Sequence, residues 1–429
     1  MVVVETKPKS LLAEAAEWIR PKVKLAPAEW VGRHGYLDDQ VEASGGRYDF
    51  THHPWFVQPI DYLDDRDVRF VNLMMSPQLG KTILLLMSIL CCADQNPCPA
   101  MVVLPEKTAA IEFRDRCYGN ALVSPKTRHL PPPESRWNTR HIDLGGMRVY
   151  LAWSGAKQAL RGRRCKRVWL SEIDVYEPAS KAGDPLRSAE QRVKAFYQWQ
   201  IWRESSPVSD PSRIGEAFYA GREHYWYFPC PDCGHWQEPR FFVHKDDHPF
   251  AGKGGIEGWR DEGGARLSAD DARANAFYRC EKGCRIEAID KNPMLLKGRW
   301  LAEGERFKGA GVKAKVTGEP AKSRWSMSHH LWEVFNEGIS VGDLAANWVS
   351  ACEAANTSDF WQNTLAKPYS NQAPRPKWEV LGSKNAGEHL RGEVPEWVWF
   401  LTAGLDVQRD RLYYVVRGWG DQMTSCLID

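Results

Sequence analysis

No apolar run in this 429-residue chain is long enough to cross a bilayer. The longest, Thr82 to Ala93, has twelve residues, where a spanning helix needs about 20. The first residues, MVVVETKPKSLL, lack the basic-then-apolar order of a secretory signal. Net charge is also small. Lys and Arg number 57 against 55 Asp and Glu, a balance of +2, so any nucleic-acid surface must be a local patch. Eleven cysteines, an odd number in a long chain, argue against a complete disulfide framework. No internal repeat is apparent. What remains is ample: 43% hydrophobic residues and twenty tryptophans, enough for large packed cores and too apolar for a disordered chain. Length suggests about three domains, and the expectation is a soluble intracellular protein that does not engage a membrane.

The first half alternates strand and helix patterns. Val68–Met74 reads as a strand, Ile83–Ala93 as a helix, and Ala100–Leu104 as a strand buried on both faces. Glu106–Asn120 and Asp184–Phe196 have helical patterns; Met147–Trp153 and Arg167–Leu170 read as strands. This alternation predicts an α/β domain on a parallel sheet, ending near residue 222. Residues 302–325 look like a surface loop, Ser340–Ala366 is helical in pattern, and Pro368–Pro395 is punctuated like a linker.

Gly80-Lys81-Thr82 falls between the first strand and its helix. Backbone N–H groups of such a turn can cradle phosphate, with the Lys reaching the β/γ-phosphates and the Thr hydroxyl on Mg²⁺. Met75 stands where the full motif has its first Gly, so a plain surface turn is the alternative. Val168-Trp-Leu-Ser171-Glu172-Ile-Asp174 is an apolar strand ending in acids, which places carboxylates at the edge where such sheets bind ligands. Glu172 is the candidate that activates water. Ser171 holds the place of the usual Mg²⁺-side Asp, and Asp174 lies one turn on; an acidic surface turn is the competing reading. Lys157, Arg161, Arg163 and Arg164, with Lys166 and Arg167, put six basic residues in eleven. They suit γ-phosphate or DNA backbone, or simply a solvated face. Ser205-Ser206-Pro207 by itself is a turn.

Cys230-x₂-Cys233 and Cys280-x₃-Cys284 are flanked by Pro and Gly. Two such knuckles offer four thiolates to a closed, structural Zn²⁺ site, with buried free thiols as the alternative. The 46 residues between the pairs exceed ordinary ribbon spacing, and His235 is a substitute ligand. The other seven cysteines read as buried apolar thiols. Near the end, Val398–Val407 and Arg411–Trp419 read as strands joined by Gln408-Arg-Asp410. They resemble the opening of an RNase H-like domain, where Asp406 would be the first of several carboxylates needed for two-metal cleavage.

Taken in order, these pieces resemble the large terminase subunit of tailed bacteriophages, of the GpA type. The match runs through Glu29-Trp30, Gln78-Leu-Gly80-Lys81-Thr82, Leu160-Arg161, Glu172-Ile-Asp174, Ser205-Ser-Pro207, both Cys pairs, Gly404-Leu-Asp406 and Gly418-Trp-Gly420. The resemblance implies an ATP-driven motor that translocates double-stranded DNA into a capsid, with a C-terminal endonuclease. It implies ATP and Mg²⁺ at Gln78, Gly80, Lys81, Thr82, Ser171 and Asp174, with Glu172 activating water. Ser205 and Ser206 would couple hydrolysis to DNA movement. It further implies Mg²⁺ or Mn²⁺ at Asp406, a small DNA-recognising subunit, a capsid portal, and a homo-oligomeric ring working in host cytoplasm. Pro77 stands near a place where many members carry an Arg, whose charge role would pass to Arg161, Arg163 or a neighbouring subunit. Members run on for about a further domain, so the nuclease is expected to be incomplete here. The alternatives are a degenerate prophage remnant that only folds and binds zinc or DNA, and another nucleic-acid translocase.

The expected fold is therefore α/β: a P-loop NTPase parallel sheet, a zinc-ribbon-like insertion, and the first strands of an RNase H-like domain. The expected division is an N-terminal segment (1–66), a P-loop ATPase domain (67–222), a zinc-knuckle insertion (223–300), a loop and helical segment completing the ATPase region (301–367), a linker (368–397) and the nuclease start (398–429).

Overall fold

A run of β-branched and other apolar residues with buried neighbours on both sides forms the centre of the molecule. The computed structural model describes residues 24–42, 45–179, 183–208, 211–242, 254–369, 390–407, 411–421 and 424–429. Most of the expected linker and the 408–410 connection lie outside the described residues. Two units are present, 1–370 and 371–429.

The first unit is built on a ten-stranded sheet. Its strands are β1 (Phe70–Met75), β2 (Ala100–Leu104), β3 (His141–Leu144), β4 (Met147–Trp153), β5 (Arg167–Ser171), β6 (Gln200–Ser205), β7 (Arg222–Pro229), β8 (Trp236–Gln237), β9 (Arg299–Ala302) and β10 (Ser326–Leu331). The spatial order is β8-β7-β10-β1-β6-β5-β2-β4-β3, with β9 also on β7. From β7 to β4 the neighbours pair in parallel. β3, β8 and β9 are antiparallel additions.

Side chains alternate between two cores, as the two-residue period of a strand requires. Val71, Leu73, Met75, Val102, Leu104 and Trp169 enter one; Met74, Met101, Val103, Val168 and Leu170 enter the other. The first face is covered by α1 (Lys81–Gln95) and α2 (Lys107–Val123). The second is covered by α3 (Arg213–Ala220), through Ile214 and Phe218. α1 is buried nearly all round, which explains its uninterrupted apolar sequence. The helix Pro27–His34 docks on it, with Trp30 Nε1 donating to Asp94 Oδ2 at 2.8 Å.

Several expectations need correction. The sheet does not stop at residue 222, because β7 to β10 extend it. β10 inserts between β7 and β1 although Ser-Met-Ser-His-His-Leu is too polar to read as a central strand. Its polar groups are satisfied internally. Asn72 Nδ2 donates to Ser328 Oγ at 3.0 Å, and His329 stacks on His224 at 4.6 Å. The helical pattern from 340 breaks after α4 (Val341–Glu353), where Ala355 turns left-handed (φ 50°), and resumes as one π-helical turn, Phe360–Thr364. Asp184–Phe196 yields only the short helix Pro185–Glu190 and a 3₁₀ turn. The loop 302–325 holds a small hairpin, Arg306–Lys308 with Lys315–Thr317. Arg167, counted in the basic run, is buried and donates to Leu63 O at 2.7 Å.

The second unit carries an antiparallel sheet of Phe400–Val407, Leu412–Trp419 and Ser425–Leu427, with Asp406 opposite Tyr413. Among the described residues no helix is long and apolar enough to cross a membrane.

Candidate functional site

β1 ends at Met75, and the chain must reverse into α1 within five residues. Ser76 is held by Leu331 O (to its N–H, 3.1 Å) and by Thr364 O (from its hydroxyl, 2.8 Å). Gln78 and Gly80 take left-handed φ of 58° and 84°. At Gly80 a Cβ would come within 3.2 Å of the Phe56 ring, so both φ and space favour glycine. The helix starts at once, with Leu84 N–H donating to Gly80 O, and its free N-terminal amides face the turn.

Three strand ends meet here because β6 lies between β1 and β5. Lys81, only 5% exposed, donates to Met75 O (3.3 Å), Ser76 O (3.1 Å) and Ser206 Oγ (3.1 Å). Its ammonium also lies 3.3 Å from Glu172 Oε1. Glu172 follows β5 directly and is itself left-handed, φ 53°. Its Oε2 accepts from Ser205 Oγ and Ser206 N–H, both at 3.2 Å. Ser206 Oγ donates back to Met75 O at 2.9 Å. The Ser205-Ser206 turn, uninformative in the sequence, thus bridges the lysine turn and the acid. Thr82 sits in the first turn of α1.

Sequence reasoning missed Glu204. It ends β6 opposite Ser171 of β5, is 1% exposed, and accepts the Ser171 hydroxyl. Burial first, then the charge of Glu172, push its carboxyl well above the usual range; Lys81 opposes this. The signal was a carboxylate closing an apolar strand just before Ser-Ser-Pro.

Asp174 is placed differently from expectation. Its two carboxylate oxygens accept from Val208 N–H (3.0 Å) and Ile214 N–H (2.7 Å), so it secures the loop between β6 and α3. Lys157, Arg161, Arg163 and Arg164 are exposed on the segment leaving β4, at the same edge of the sheet. Arg163 stacks on Tyr150, 4.9 Å from the ring centre.

Away from this edge, the four cysteine sulfurs of Cys230, Cys233, Cys280 and Cys284 lie within 4.8 Å of one another. Each pair sits on a tight hairpin. Cys230 N–H donates to His235 O and Cys280 N–H to Cys284 O, and Gly234 and Gly283 supply left-handed turns (φ 68° and 93°). The first hairpin joins β7 to β8; the second joins Phe277–Arg279 to Arg285–Ile286 in a separate three-stranded sheet. The cluster therefore ties that sheet to the large one. His235 pairs with Glu281 at 2.9 Å instead of joining the sulfurs.

A family model for the phage terminase large subunit gpA, ATPase domain, matches residues 42–300. One for the terminase large subunit gpA, endonuclease domain, matches 326–429. That second span begins with β10, inside the large sheet. The chain is 24% identical over 428 residues to the terminase large subunit of Enterobacteria phage P21, covering 95% of this chain and 62% of that protein. It is 22% identical over 437 residues to that of Escherichia phage lambda, covering 96% and 63%. It thus spans less than two thirds of the length of either relative. Among solved structures, the HK97 bacteriophage large terminase covers 94% of this chain and 67% of its own length at 12% identity and a TM-score of 0.46. The Thermus phage P74-26 large terminase ATPase domain covers 72% and 92% at 11% identity and a TM-score of 0.37.

Proposed function

The chain belongs to the GpA family of phage terminase large subunits, and from that premise we propose that it is an ATP-driven motor that moves double-stranded DNA into a capsid. One observation carries the reading. The lysine of a phosphate-cradling turn and a strand-end glutamate meet at 3.3 Å, bridged by Ser205 and Ser206. The turn amides and Lys81 bind the triphosphate, with Gln78 and Gly80 shaping the loop. Glu172 takes a proton from the attacking water. Ser206 touches both Lys81 and Glu172 and lies at the end of β6, so a change at the phosphates can reach the β6–α3 loop. Lys157, Arg161, Arg163 and Arg164 bind phosphate, of nucleotide or DNA.

The donor groups on the β1, β5 and β6 edge are all oxygens (Thr82, Ser171, Glu172, Glu204), which fits the hard cation Mg²⁺. Thr82 and Ser171 would hold it, and when bound it neutralises phosphate charge. The sulfur cluster fits Zn²⁺ in a closed structural site, making 223–300 a zinc-bearing, ribbon-like insertion. The domain division set out above belongs to the same proposal, with the ATPase sheet drawing strands from both sides of that insertion. The C-terminal sheet fits the start of an RNase H-like nuclease, Asp406 being one ligand for Mg²⁺ or Mn²⁺. A small DNA-recognising subunit, a portal and a ring of copies in the host cytoplasm complete the assembly.

The test is ATP hydrolysis by the purified chain with and without double-stranded DNA. Turnover stimulated by DNA and abolished by Lys81→Ala supports the motor. Turnover indifferent to Lys81 refutes it.

A further inference from the structure

The strand-end carboxyl of Glu204 has no part in the scheme above, yet nothing else in the site is so enclosed. The residue is 1% exposed. One oxygen, Oε1, accepts the Ser171 hydroxyl. The other, Oε2, is buried without a hydrogen-bond partner. A buried carboxyl half satisfied in this way is costly, and an apolar residue at the end of a central parallel strand would avoid the cost. Its position gives the reason for keeping it. Parallel pairing sets Ser171 directly beside Glu204, on the same face of the sheet. The next residue along β5 is Glu172, whose backbone N–H also favours the charged form of Glu204.

A serine hydroxyl has one hydrogen and two lone pairs. At Ser171 the hydrogen is committed inward to Glu204, so only the lone pairs remain for a partner on the outer side. The position is thereby an acceptor, and the carboxylate behind it increases its negative character. Position 171 is where the motif ordinarily has a carboxylate toward the cation, and here the nearest buried carboxylate is one strand over.

Resting on the ATP-site reading above, we propose that Glu204 is a positioning residue for the metal side of that site. It orients Ser171 as an acceptor toward the hydration shell of the nucleotide's divalent cation and supplies from β6 the negative charge that position 171 lacks. Ser171 and Glu204 then act as one unit, as carboxylates behind metal-facing groups do elsewhere.

The experiment measures binding of a fluorescent ADP analogue to the full chain across a Mg²⁺ titration, alongside kcat and KM for ATP. Ser171→Ala and Glu204→Gln should each raise the Mg²⁺ concentration for half-maximal binding about tenfold or more. Binding without Mg²⁺ should stay unchanged. The double variant should be no worse than the poorer single one, because the two act together. Ser171→Asp should restore wild-type Mg²⁺ dependence to Glu204→Gln. Unchanged Mg²⁺ dependence in either single variant, or effects that add, overturns the role of Glu204. Should Glu204→Gln fail to fold, Ser171→Ala decides alone by the same criterion. If the wild-type chain binds no nucleotide, or binds it independently of Lys81, the ATP-site reading itself fails. The two failures are thus distinct.

Discussion

Lys81 Nζ and Glu172 Oε1 stand 3.3 Å apart at the ends of strands that are not neighbours. β6 separates β1 from β5, and the Ser206 that follows it touches both side chains. The ammonium has three protons and four nearby acceptors, so an arriving phosphate must compete with Glu172 for it. Glu172→Gln keeps the shape and removes both the charge and the base. It should retain ATP binding and lower kcat by about 10²–10⁴-fold. Retained turnover in that variant would remove Glu172 from the chemistry.

Gly80 is the second point of test. Gly80→Ala forces a Cβ into left-handed backbone and toward Phe56. The expected cost is about 1–3 kcal/mol, seen as a lower thermal midpoint, with weaker nucleotide binding. A midpoint equal to wild type would mean the turn relaxes freely.

The cysteine cluster predicts metal. Chain purified without chelator should carry about one zinc, as four thiolates fill a tetrahedral shell. Cys230→Ser or Cys280→Ser should lower zinc content and destabilise the join between the two sheets. Elemental analysis that finds no zinc, with a chelator-insensitive melt, contradicts the site.

Acid should weaken the large sheet. Burial holds His224 down to about 4 and His330 down to about 3, and lowers His329 further. An unfolded histidine titrates near about 6.5. Below that pH the unfolded chain binds protons that these folded histidines refuse, so stability falls as pH falls. Each adds a slope approaching about 1.4 kcal/mol per pH unit until its folded value is reached. Urea midpoints at pH 7 and pH 5 measure this; equal midpoints would show that the histidines find another way to accept charge.

DNA binding should be salt-dependent through the segment after β4. Replacing Arg161, Arg163 and Arg164 with Gln should weaken binding uniformly across sequences. For every DNA phosphate that is no longer neutralised, the log–log salt slope should flatten by about 0.9. An unaltered slope places the DNA surface elsewhere.

Much of this was legible in the chain. The strand–Gly-Lys-Thr–helix order, the acid-ended strand and the two Cys pairs are local patterns, and local sterics and hydrogen bonding set them within a few residues. Glu204 was not legible, because a carboxylate at a strand end looks like any solvated charge until the neighbouring strand is known. Asp174 misled for the converse reason. Its spacing from Glu172 suggested the site, yet the amides of Val208 and Ile214 claim it.

The sequence by itself therefore determined the pieces: a phosphate-type turn, an acidic strand end, four paired thiols and the family they belong to. Only the tertiary structure decided which pieces meet. Strand order is a long-range property, fixed by how buried faces pack against α1, α2 and α3, and it places β6 between β1 and β5 and the polar β10 beside β1. That order brings Ser205, Ser206 and Glu204 to Lys81 and Glu172. No periodicity along the chain encodes it, because parallel pairing joins residues far apart in sequence.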